Sequence, residues 1–95
     1  MSPKDKEKMA KALKPVVEQV FEELDKLKTA FGFNYFLKHE KIAPIIKEFR
    51  KTTSFPHAIL FTIYSKKVRA LKNSGIVEKG AKGLFEWKKK KQKEQ

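Results

Sequence analysis

A mainly α-helical domain closed by a small β-hairpin is the fold class predicted by this 95-residue sequence, and three observations predict it. Apolar residues recur every three or four positions through the first three quarters of the chain. Helix-start and helix-stop residues divide that pattern into segments. After Gly75 the pattern changes to two short β-type pieces around a Gly-rich turn.

The first segment begins at Ser2-Pro3 with Asp5 behind them, an N-cap, a proline at the first helical position and an acid in the first turn. Met9, Leu13, Val17, Val20, Leu24 and Leu27 then form one apolar stripe, which predicts a helix over 3–31 stopped by Gly32. Pro15 breaks the hydrogen-bond ladder, so the helix is expected to kink there or to consist of two abutting helices. Phe31, Phe33, Tyr35 and Phe36 read as core filling around a short extended piece rather than as base-stacking residues. Ile42, Ile45, Ile46 and Phe49 predict a second helix over 41–51, with Pro44 in its first turn.

Thr52, Thr53 and Ser54 form a polar turn, with Ser54 as N-cap of a third helix over 56–74 that stops at Gly75. With Val68 and Leu71 inward, Leu60, Phe61 and Tyr64 fall on the same side, and Ile59 falls on the exposed side. A hairpin over 76–87 follows. Ile76 and Val77 start it, Lys79 and Lys82 occupy its tip, and Leu84, Phe85 and Trp87 return. Residues 1–87 thus make one domain, and 88–95 form a basic tail.

Composition narrows the functional classes. A chain of this length buries only about 60–65% of its unfolded surface, so the core is small. Twenty-three Lys and Arg oppose 11 Asp and Glu, a formal net charge of +12, which favours a polyanionic partner. The excess sits late in the chain: residues 1–61 hold 12 basic and 8 acidic side chains, whereas 62–95 hold 11 and 3. There is no cysteine, hence no disulfide framework and no thiolate zinc site. No apolar run approaches about 20 residues, so no membrane segment is expected, and the chain reads as cytoplasmic. His39 and His57 lack partners at ligand or triad spacing, which argues against a metal site and against an enzyme. No cofactor or small-molecule ligand is indicated.

On the third helix, Thr62, Lys66, Arg69 and Asn73 are spaced i, i+4, i+7 and i+11, one exposed line with Ser65 beside it. Arg pairs bidentately with guanine and Asn with adenine, while Lys, Ser and Thr serve bases or phosphates. Lys79 and Lys82 at the hairpin tip, with Lys88, Lys89, Lys90 and Lys91 in the tail, add phosphate contacts that carry no sequence information.

Helix, short turn, longer cationic helix and hairpin, in that order, resemble the winged helix-turn-helix family. The resemblance lies in Val68 and Leu71 as the apolar pair, Gly75 as the stop, Ile76 and Val77 as first wing strand and Leu84, Phe85 and Trp87 as the returning strand. It implies double-stranded DNA as partner, with the third helix in the major groove and the wing lysines on flanking phosphates or in the minor groove. The expected function is a small transcription regulator, homodimeric through its N-terminal helix. Two alternatives fit the same pattern: a nucleoprotein component without base readout, bound to chromatin, RNA or the ribosome, and a protein-interaction winged helix using the Ile59 side and the N-terminal stripe.

Overall fold

The computed structural model describes residues 3–51 and 56–88. Helix α1 (Pro3–Leu27) starts where expected, with Pro3 at a position whose N–H would have no intrahelical partner and Asp5 in its first turn. Ser2 and the turn at 52–54, expected as caps, lie outside the described residues. Pro15 lies inside α1, which is one helix and not two. Both Pro15 and Lys11 are exposed, so the carbonyl that loses its donor is on the solvent side of the helix.

The end of α1 corrects the expected boundary. Lys28, at φ 54°, takes the left-handed position that usually goes to glycine. Its N–H donates to the Asp25 carbonyl at 3.2 Å, and the Thr29 N–H donates to Leu24 at 3.1 Å. These two bonds satisfy the last carbonyls of the helix four residues before Gly32 can act.

Gly32 instead adopts extended backbone and leads into α2 (Phe33–Lys38). The aromatic segment expected to be extended is therefore mostly helical. Phe33, Phe36 and Leu37 share one side of that single-turn helix, and Phe36 is fully buried. Only Phe31 is extended. It exchanges two backbone hydrogen bonds with Phe85, at 3.0 and 2.7 Å, as an isolated antiparallel bridge.

Helix α3 (Ala43–Phe49) lies within the predicted 41–51, trimmed at both ends, with Pro44 in its first turn. Helix α4 (Pro56–Asn73) ends at the expected glycine: Gly75 has φ 75°, its N–H donates to Lys72 at 3.0 Å, and the Ile76 N–H donates to Leu71 at 2.9 Å. Strands β1 (Val77–Lys79) and β2 (Phe85–Trp87) form the antiparallel hairpin, joined through one 3-10 turn at Ala81–Gly83. The first strand begins one residue later than expected, leaving Ile76 outside it and exposed.

Helix α1 packs most extensively on α4. Met9, Leu13, Val17, Val20 and Leu24 are buried in the chain's own core with Phe21, Phe31, Phe36, Leu60, Tyr64 and Val68. Leu27, the last member of the predicted stripe, is 76% exposed because the helix ends there. Two residues of α4 exchange their expected environments. Ile59 is buried and Phe61 is half exposed, since α4 is covered from the α1 side and its buried arc is rotated toward that helix. Trp87 ties the hairpin to the core: its indole N–H donates to the Thr29 carbonyl at 2.9 Å, and the Lys28 ammonium lies 5.6 Å from its ring.

Candidate nucleic-acid interface

Helix α4 carries Lys66, Lys67, Arg69 and Lys72 and not one acidic residue. Thr62, Lys66, Arg69 and Asn73 are all exposed, as the spacing predicts, and they form a ridge between two grooves. The ridge is not uniform. Thr62 and Lys66 border the groove toward α1, shared with Lys14, Glu18 and Lys67, so a carboxylate accompanies the cations there. The Thr62 hydroxyl is already engaged, donating to the Ala58 carbonyl at 3.0 Å. Arg69 and Asn73 border the other groove, toward the hairpin, together with half-buried Ser65.

The hairpin register decides which of its charges reach that second groove. Val77 pairs with Trp87, Glu78 with Glu86 and Lys79 with Phe85. Alternation therefore puts Lys79 on the same face as Val77, Phe85 and Trp87, and puts both glutamates on the opposite face. Lys79 and Phe85 line the groove opposite Arg69. The Glu86 side chain folds over Gly80, where a Cβ would collide with it. Lys88 lies 4.0 Å from Glu78 on the outer face. The groove holds about 460 Å³. Its described lining contains three cations, Arg69, Lys72 and Lys79, and no carboxylate.

Thr62, Ser65, Lys66, Arg69 and Asn73 are thus all presented by α4, but only Ser65, Arg69 and Asn73 converge with Lys79. Lys82 is exposed at the hairpin tip with left-handed backbone, φ 59°, and is not part of the groove wall. Lys88 faces away from the groove, and Lys89, Lys90 and Lys91 lie outside the described residues.

Two groove residues escaped the sequence reading. Lys72 holds its ammonium 5.9 Å from the Phe85 ring. Its spacing from Ser65 and Arg69, i, i+4 and i+7, is visible in the sequence as a second line beside the one that starts at Thr62. Phe61, on the inward side by angular spacing, is the other. It sits at the groove edge with its ring edge-on to Phe33, centroids 5.0 Å apart and planes at 89°. Tyr64 closes the floor, and burial pushes its phenol up to about 12.

The histidines belong to other surroundings. His39 Nδ1 accepts the Lys41 backbone N–H at 3.0 Å, and its Nε2 lies 3.8 Å from Glu23. The Lys41 ammonium donates to Glu23 at 2.8 Å, and that hydrogen bond holds the Glu23 carboxyl below its ordinary range and Lys41 above its own. Arg50 donates to His57 Nε2 at 3.3 Å. Among the described residues no group of three His, Cys, Asp or Glu could hold a metal ion, and no helix is long and apolar enough to cross a membrane. Comparison with protein-family models, curated proteins and solved structures found no match to this chain.

Proposed function

We propose that this protein binds double-stranded DNA as a small regulator, with α4 in the major groove and the hairpin on the flanking backbone. The observation that carries the reading is the convergence of Arg69, Lys72 and Lys79 with Asn73 and Ser65 around a groove whose described wall has no carboxylate. Cations so placed meet phosphates, while Arg69 and Asn73 retain the donor patterns that read guanine and adenine edges. The order of a long helix, short helices, a cationic helix and a hairpin is consistent with the winged helix-turn-helix arrangement. Pairing of two copies belongs to the proposal, but it must use a surface other than the apolar stripe of α1, which is buried.

Selection of bound sites from random duplex, with the wild-type chain and Arg69→Ala, tests this reading. The wild type should enrich a motif, two-fold symmetric if the protein pairs. Arg69→Ala should lose about 1–3 kcal/mol of preference at one base position. If the wild type enriches nothing, or Arg69→Ala enriches the same motif unchanged, base readout by α4 is wrong.

A second reading has its own support. Thr62 is engaged within the helix, and Lys66 shares its groove with Glu18, so half the predicted row is poorly disposed to read bases. A nucleoprotein component held by phosphates alone fits that half. It would bind selected and random duplex equally, with the same dependence on salt. The protein-interaction alternative would use the Ile59 side and the α1 stripe; Ile59 and the stripe from Met9 to Leu24 are buried within the chain, and Leu27 is exposed.

A further inference from the structure

We propose that the groove between α4 and the hairpin takes one unstacked nucleotide of a bound DNA strand, the base on Phe61 and the phosphate among Arg69, Lys72 and Lys79. This rests on the DNA-binding reading above and deepens it. Phe61 is 50% exposed, although it belongs to a helix whose other large apolar residues are buried or half-buried. Its ring is held rather than loose: Phe33 meets it edge-on at 5.0 Å, and Tyr64 lies 6.1 Å away at 38°. A fixed aromatic face left in water is unfavourable until a partner covers it.

The cations that line the same groove decide what the partner is. A purely apolar occupant would cover Phe61 but strip water from Arg69, Lys72 and Lys79 without supplying anions. A nucleotide supplies both a π-face for the ring and a phosphate for the cations. Duplex DNA keeps its base faces stacked and shows only edges in its grooves, so a base can lie on Phe61 only from an overhang, a frayed end or an extruded position. The groove volume of about 460 Å³ is in the range of small-ligand sites, room for one nucleotide rather than a run of them.

The test measures binding of the full chain by fluorescence anisotropy at one salt concentration, using a blunt duplex and the same duplex with a short single-stranded overhang. The overhang should bind roughly 5- to 140-fold more tightly, the equivalent of one stacked base. Phe61→Ala should abolish that advantage, making the variant's affinities for the two probes equal, and Phe61→Tyr, which keeps the ring, should retain it. Equal wild-type affinity for the two probes overturns the proposal. So does an equal loss on both probes in Phe61→Ala, or loss of the advantage in Phe61→Tyr. Binding to neither probe refutes the DNA-binding reading itself, and the nucleotide site with it.

Discussion

Removing the charge of Lys79 is the perturbation that most directly tests the interface, because the hairpin register singles it out from its neighbours. Lys79 shares a face with Phe85 and lines the groove, whereas Lys88, nine residues on, faces Glu78 on the outer side. If Lys72, Lys79 and Lys82 each neutralise one phosphate while Arg69 faces a base edge, the described part of the protein contributes a salt slope of about −2.7, at about −0.9 per phosphate on duplex DNA. Raising salt fourfold, from about 50 to 200 mM, should then weaken binding about 40-fold through these three groups. Lys79→Gln should reduce that slope to about −1.8 and the loss to about 12-fold. Contacts made by residues 89–95 are common to both proteins and cancel from the difference. Lys88→Gln should leave the slope closer to that of the wild type. The assay is anisotropy of a labelled duplex, titrated at four or five salt concentrations and plotted as log affinity against log salt. An unchanged slope in Lys79→Gln, or an equal change in Lys88→Gln, would refute the assignment of the hairpin's inner face to the nucleic acid.

Two further expectations concern the scaffold. Leu13→Ala, at a fully buried position of α1, should cost about 2–5 kcal/mol in urea unfolding, whereas Leu27→Ala, at an exposed one, should stay within about 0.5 kcal/mol. The Tyr64 phenol, pushed up to about 12 by burial, predicts an alkaline limb. An unfolded tyrosine ionises near its ordinary value of 10.0 while the folded one stays neutral, so this contribution to stability is full below about pH 10 and is lost as pH rises toward about 12. Tyr64→Phe should remove that part of the alkaline decline in thermal unfolding measured from pH 9 to 12.

The elements were legible where local chemistry and packing agree. Gly75 stops α4 because the left-handed position needs no Cβ, and the sequence shows the glycine. At Lys28 the same position is filled by a residue that gives no such signal. The helix there ends through bonds to the Leu24 and Asp25 carbonyls that any residue could accept, so the sequence points to Gly32 instead. The exposed line of α4 was legible from angular spacing alone. Its division between two grooves was not, because that depends on α1 packing along one side of α4 and the hairpin standing on the other, contacts of high sequence separation. Glu18 beside Lys66 is of the same kind. Nothing in the local pattern of either helix announces that a carboxylate 48 positions away will share the groove of that lysine.

Those long-range contacts also explain why a core this small can hold the interface in one geometry. A hairpin of two three-residue strands is marginal on its own, and Lys79 would not keep a fixed place opposite Arg69 if pairing were its only support. Two contacts with the connection after α1 supply the rest: the reciprocal bonds between Phe31 and Phe85, and the indole bond from Trp87 to Thr29. Phe31 is itself wedged among Phe21, Phe36 and Tyr64, with centroids between 5.4 and 6.3 Å, so the aromatic core and the hairpin meet in one residue. The left-handed Lys28 is the start of this linkage, since it turns the chain out of α1 in time for Thr29 and Phe31 to meet β2. The cations of the groove are therefore positioned by the aromatic packing behind them, and loosening that packing should disperse the charge cluster before it unfolds α4.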